Sequence, residues 1–180
     1  YQGALVDYLE NKATALRRRY YLEALSGMGL RIFGGNEWAD PAHAGPLAAR
    51  YAGRRLEYTS ELPALYASAK ININIFHVQC VTAPNPRVYD VLAAGGFLLT
   101  TANSGLENEF VDGRDLVIFR SGEELREKAA YYLAHPQERR AIAESGREHT
   151  LASHGYHDRM QRFLYALGSK AGEPHVYICR

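Results

Sequence analysis

Hydrophobic and polar positions along this chain follow two periods, and the places where the period changes mark its elements. Residues 4–28 carry Ala4, Leu5, Tyr8, Leu9, Ala15, Leu16, Tyr20, Leu22 and Leu25 at roughly helical spacing, with Gly27 and Gly29 to stop them. "LRIFGGN" then reads as a short buried strand ending in Gly34 and Gly35, and residues 40–53 as irregular or briefly helical. "RRLEYT" (54–59) is a candidate strand, after which Ser60 is placed to cap a helix over "ELPALYASA", with Glu61 and Pro63 in its first turn. "KININIF" (70–76) is the clearest strand: Ile71, Ile73 and Ile75 alternate with Asn72 and Asn74.

The segment "NPRVYDVLAAGGFLLTTANSG" (85–105) has the strongest punctuation. Asn85 suits an N-cap and Pro86 the first helical position. Val88, Val91 and Leu92 form an apolar stripe, and Gly95-Gly96 ends the helix. "FLLTT" (97–101) predicts a strand buried on both faces, "LENEFV" a short helix, and "LVIF" (116–119) another strand. The rest is helical. Ser121 and Glu124 make a capping-box pattern before "ELREKAAYYLAH", Pro136 opens "PQERRAIAESGREHTLASH", and Gly155 precedes "YHDRMQRFLYALG". The tail "GSKAGEPHVYICR" carries no assignment.

Five candidate strands alternating with helices predict an α/β fold: a Rossmann-like, mostly parallel sheet with helices on both faces and a helical C-terminal part. Ligands of such sheets sit beyond the carboxyl ends of the strands. Those ends fall at Gly34–Trp38, Thr59–Ser60, His77–Asn85 and Ala102–Gly105, which are expected to converge on one crevice.

Composition narrows the function classes. A chain of 180 residues, 47% hydrophobic and 23% charged, has room for one substantial core. A net charge of +1 gives no global field for nucleic acid or an anionic membrane. Cys80 and Cys179 are too few for a disulfide framework, so a cytoplasmic, reducing setting is expected. No stretch approaches the roughly 18 apolar residues of a membrane span. The first residues have no signal-peptide layout and no initiator Met, and the chain is read as a single domain, residues 1–180, cut from a longer protein.

Within the crevice, Arg87 and Asp90 share one face of a helix start. Free N–H groups and the positive end of the helix dipole suit a phosphate there, which Arg87 could grip as a fork while Asp90 accepts from sugar hydroxyls. A local ion pair between the two is the plain alternative. His77 and Cys80 have the spacing of half a metal site but no second pair, and His149, His154 and His157 read as a solvated helix end. Asn72 and Asn74 read as structural, Trp38 as packing, and Arg17–Arg19 as a solvated helix face.

"LYASAKININI", "NPRVYDVLAAGGFLLT", "GLENEFVDGRDLVIFRSGEELREKAAYYLAHPQERRAIAESGRE" and "HGYHDRMQRFL" together resemble the C-terminal domain of GT-B glycosyltransferases, most closely the group related to the spore maturation protein CgeB. The resemblance covers residues 60–167 well and 10–40 more loosely. It implies one half of a GT-B fold that binds a nucleotide-sugar donor, with an N-terminal acceptor domain in the same protein and no metal or other cofactor. Asp90 falls where relatives carry a ribose-binding Glu, and Thr82 where many carry a second acid. "FGGNEWAD" lacks the basic pair that relatives place after the first strand, leaving Arg87 or Lys70 to substitute. The donor site implied comprises Gly34, Gly35, Tyr58, Thr59, Lys70, Asn85, Arg87, Val88, Asp90, Ser104 and Gly105. Arg87 and the N–H groups of Arg87 and Val88 would hold the diphosphate, Tyr58 and Thr59 would border the base, and the Ser104-Gly105 backbone would approach phosphate or sugar. The catalytic residues stay unassigned. A sugar-nucleotide epimerase of the same fold and a non-catalytic binding or interaction domain are the rival readings.

Overall fold

The computed structural model describes residues 2–170, and residues 171–180 of the tail, with Cys179, lie outside them. Three parallel strands form the sheet in the order β1 (Asn72–Asn74), β2 (Leu98–Thr101), β3 (Val117–Phe119). Among the described residues eight α-helices surround it: α1 (Gln2–Glu23), α2 (Pro41–Ala44), α3 (Leu62–Ser68), α4 (Pro86–Ala93), α5 (Ser104–Glu109), α6 (Gly122–Ala134), α7 (Pro136–Ser153) and α8 (Tyr156–Lys170).

The strands are buried on both faces, and their alternation sorts the core into two layers. Leu99, Val117 and Phe119 pack with Tyr21 and Leu25 from α1 and its following turn, Leu125, Ala129 and Tyr132 from α6, and Ile142 and Ala143 from α7. Leu98, Leu116 and Ile118 point the other way, to Val88, Val91 and Leu92 of α4, Leu106 of α5 and Phe110. This two-sided burial is why the strands read as continuous apolar runs. The expected Rossmann-like α/β fold is therefore the observed one.

Two of the five expected strands are not strands. In 30–36 only Ile32 pairs, as an isolated parallel bridge to Tyr51. Residues 54–57 are irregular and lead into a turn at 58–61, because the Glu57 carboxylate takes the N–H groups of Thr59 (2.9 Å) and Ser60 (2.6 Å) and folds the chain back on itself. Ser60 accordingly does not cap α3: its hydroxyl donates to Glu57 at 2.7 Å, and α3 begins at Leu62. The first helix begins and ends earlier than its periodicity predicts, since turns occupy 24–29 with Gly27 and Gly29 at positive φ.

The helix starting at residue 86 forms as predicted. Its end is a Schellman motif, with Gly96 N–H donating to Val91 O and Gly95 N–H to Leu92 O, both at 2.9 Å. Gly95 adopts φ 79°. Gly96 must lack a side chain because a Cβ there would lie 2.6 Å from the Tyr66 carbonyl.

Candidate functional site

The carboxyl ends of the strands are joined by a chain of polar side chains that holds the start of α4. Asn74, fully buried at the end of β1, donates to Thr100 Oγ1 of β2 at 3.1 Å. Asn85, the residue before α4, donates its amide to Asn74 Oδ1 at 3.2 Å. Thr101 Oγ1 accepts from Phe76 N–H at 3.1 Å. Asn74 is thus structural, as expected, and so is Asn72, whose amide donates to the carbonyls of Tyr66 and Phe97.

Asn85 spends its side chain on the sheet and does not cap α4. Its Oδ1 is buried and accepts nothing from the described residues. Val88 N–H donates to Asn85 O at 3.1 Å and the Val88 side chain is fully buried. This corrects the expectation for Val88: its N–H is already engaged, which leaves the Arg87 N–H as the open donor of the first turn.

The loop from 77 to 85 overhangs this helix start and is fastened from two sides. Asn103, the N-cap of α5, accepts from Gly105 and Leu106 N–H and donates to Cys80 O at 2.6 Å. Ser104 Oγ donates to Val81 O at 3.2 Å, and a Cβ on Gly105 would collide with the Thr82 carbonyl. Ser104 and Gly105 therefore face the loop: the close approach that Gly105 permits is to Thr82, and its N–H belongs to Asn103. From the other side, α1 stitches the loop down through Thr14 Oγ1, which accepts from Val78 N–H at 3.2 Å, and through contacts from Asn11 to His77 and from Glu10 to Gln79.

That run of α1 along the loop brings in a residue the sequence analysis set aside. Arg18 is half-buried within electrostatic reach of Arg87 and Cys80; burial, with the Arg87 charge adding to it, pulls its pKa below the ordinary arginine value. Among the described residues neither Arg18 nor Arg87 makes an ion pair. The run "RRR" gives no hint of this, since only the docking of α1 separates Arg18 from Arg19, which pairs with Glu23 at 2.7 Å.

Asp90 lies on the exposed side of α4 and its Oδ2 accepts from the Tyr58 hydroxyl at 2.8 Å. The alternative of an Arg87–Asp90 ion pair is not formed. Tyr58 and Thr59 sit in the turn over 57–61, not at a strand end. Beside that turn a cavity of about 340 Å³ is lined by Phe33, Leu56, Ser60 and Ala64, so the segment before Gly34 and the Thr59–Ser60 segment do meet. Gly34 and Gly35 themselves contact their own neighbourhood: Tyr51 donates to Gly34 O at 3.2 Å and Trp38 stacks close over Gly34.

Lys70 is a correction. It precedes β1, so it stands at the amino end of a parallel sheet, whereas α4 starts from the carboxyl end. Strand direction separates it from Arg87 by the depth of the sheet.

A parallel sheet covered on both faces, with a helix start and two arginines that make no ion pair among the described residues at its carboxyl edge, defines a Rossmann-like domain. The sequence profile of glycosyl transferase-like proteins matches residues 17–165, and the chain belongs to that family. No curated protein matches it. Its fold is similar to Anabaena HepE solved in complex with UDP (TM-score 0.57, 14% identity, 72% of this chain and 35% of that one). The same holds for HepE in complex with UDP-glucose (0.56, 15%, 68% and 33%) and with UDP and glucose (0.57, 15%, 72% and 34%). The chain thus spans about a third of the length of HepE. No helix among the described residues is long and apolar enough to cross a membrane.

Proposed function

We propose that this chain is the donor-binding half of a GT-B glycosyltransferase, holding a nucleoside-diphosphate sugar at the start of α4. The observation that carries this is that Arg18 and Arg87 lie within electrostatic reach of each other and that neither makes an ion pair among the described residues. Like charges repel, and an anion bridging the two would relieve that repulsion. A diphosphate matches two forks and the open Arg87 N–H. Asp90 then lies one helical turn further along, placed for ribose. The complexes of HepE with UDP and UDP-glucose support the class of ligand.

In the transfer, the bond from the anomeric carbon to the phosphate oxygen breaks and the nucleoside diphosphate leaves with the electron pair. An acceptor hydroxyl takes its place and releases its proton. The negative charge growing on the departing phosphate is met by Arg18, Arg87 and the positive end of α4, positioned beforehand. We assign no catalytic base to this chain; the acceptor and the opposite wall of the cleft belong to an N-terminal domain of the same protein.

The test is a thermal-shift titration against UDP, GDP, ADP, CDP and dTDP and their common sugars. At 100 times Kd a ligand adds about 2.7 kcal/mol of stability, a clear rise in Tm. One base should stand out, and the rise should vanish in both Arg18→Ala and Arg87→Ala. A rise that survives both substitutions would place the nucleotide elsewhere.

A further inference from the structure

Asn85 has the residue type and the backbone of a helix N-cap but not the hydrogen bond. Its backbone is extended (φ −81°, ψ 160°) and a proline follows at the first helical position. The side chain of such a residue ordinarily accepts from the N–H two or three positions on. Val88 N–H is taken by Asn85 O, so the group left for Asn85 Oδ1 is the Arg87 N–H. Yet Oδ1 is buried and accepts nothing from the described residues. A buried acceptor is costly to leave unpaired, and an open donor lies two residues away.

The polarity of the network beneath α4 explains this. Thr100 Oγ1 gives its own proton to Thr101 O at 3.3 Å, so toward Asn74 it can only accept. Asn74 must therefore turn its amide nitrogen to Thr100, at 3.1 Å, and its Oδ1 to Asn85. Only a donor satisfies that oxygen, so Asn85 presents its own amide nitrogen there, at 3.2 Å. Held in this way, the Asn85 side chain leaves the first turn of α4 uncapped. Asn74 and Thr100 are fully buried, so the restraint is built into the core.

We propose that Asn74 is a positioning residue that holds Asn85 off the head of α4 and so keeps the Arg87 N–H free for a phosphate of the donor. Once released, Asn85 turns Oδ1 onto that N–H, caps the helix and shuts out the anion. The inference rests on the donor-site reading above and adds a competition to it: one N–H, claimed either by an internal cap or by the ligand.

The experiment titrates inorganic pyrophosphate, and the nucleoside diphosphate that the wild-type chain prefers, into wild type, Asn74→Ala, Asn85→Ala, Asn85→Ser and the double variant Asn74→Ala/Asn85→Ala, with Tm as the check of folding. Serine caps helices but is one bond too short to replace the amide; alanine does neither. Asn85→Ser should therefore bind both ligands about fivefold more weakly than Asn85→Ala, the worth of a typical cap, although both have lost the bond to Asn74. The double variant should bind more tightly than Asn74→Ala, because the side chain that competes is gone; an anchor alone predicts no such rescue. Without ligand, hydrogen exchange at the Arg87 amide, followed by NMR, should be slow in Asn85→Ser and Asn74→Ala and fast in wild type and Asn85→Ala. Equal affinities of the serine and alanine variants, or a double variant no better than Asn74→Ala, would overturn the inference, while binding that is lost in Arg87→Ala still upholds the donor site. If Asn74→Ala does not fold, the serine and alanine variants decide. If the wild-type chain binds neither ligand, the donor-site reading falls and the inference falls with it.

Discussion

The side-chain amide of Asn85 donates to Oδ1 of Asn74 at 3.2 Å, and this bond fixes where α4 starts relative to the sheet. Asn74 is fully buried and also donates to Thr100, so it is the link between β1, β2 and the helix that carries Arg87 and Asp90. The position of the α4 start is set from beneath, by the core, and the surface residues above it inherit that placement.

Replacing Asn74 by Leu should accordingly cost more than its size suggests. Thr100 Oγ1 would lose a donor and the Asn85 amide an acceptor, both in the interior. A destabilisation of about 1–3 kcal/mol is expected from leaving such groups unpartnered. Urea unfolding measures it, and nucleotide affinity should fall alongside because the start of α4 loses its anchor.

Arg87 and Lys70 lie at opposite ends of β1, and their substitutions should diverge. Arg87→Ala and Arg18→Ala are expected to remove nucleoside-diphosphate binding, and wild-type binding should weaken with added salt as charge screening predicts. Lys70→Ala should leave affinity and salt dependence unchanged. Calorimetric titrations at two ionic strengths distinguish the ends; equal losses for Arg87 and Lys70 would refute the assignment.

Gly105 and Gly146, like Gly96, are required by close approach. A Cβ on Gly105 would meet the Thr82 carbonyl, and one on Gly146 would meet the Asp115 carbonyl and lie 2.9 Å from Leu92. Backbone cannot move aside cheaply, so Gly105→Ala and Gly146→Ala should each destabilise by about 2 kcal/mol or more. Only Gly105→Ala should also reduce nucleotide affinity, because Thr82 belongs to the loop over α4. Denaturation and binding measured on the same samples separate the two effects.

Stability should fall with acid in two stages. His154 is buried against Tyr89 and Phe110, and burial, the largest influence on it, lowers its pKa despite Glu109 nearby. The unfolded chain therefore takes the proton first, and stability declines as pH drops below about 6.5. Asp115 is buried too; burial alone would raise its pKa, but Arg114, the Val111 N–H, His149 and Ser145 outweigh it and hold the carboxyl below its usual range. Its contribution is intact above the unfolded value near 4 and is lost as pH falls below it. Urea unfolding from pH 8 to 3 should show both declines, with His154→Gln flattening the first and Asp115→Asn the second.

What could be read from the chain alone was whatever depends on near neighbours. The helix over 86–93 announces itself through Asn-Pro at its start, a stripe at Val88, Val91 and Leu92, and Gly-Gly at its end, all within one dozen residues. The runs at 97–101 and 116–119 are apolar throughout because both faces of their sheet are covered, and no tertiary detail is needed to see that. That Arg87 and Asp90 share one face at the start of α4 follows from helical geometry. Other features needed the third dimension. Whether "RRLEYT" extends or turns was decided by Glu57, whose side chain bonds the backbone ahead of it. Lys70 and Arg87 are both exposed cations near β1, and only strand direction tells which end each occupies. Arg18 is one of three consecutive arginines, and the docking of α1 along the 77–85 loop alone brings it within electrostatic reach of Arg87. Local pattern carries the energies of neighbours a few residues apart, whereas a binding site is made of contacts between residues far apart in sequence, which exist only once the sheet and its helices have packed.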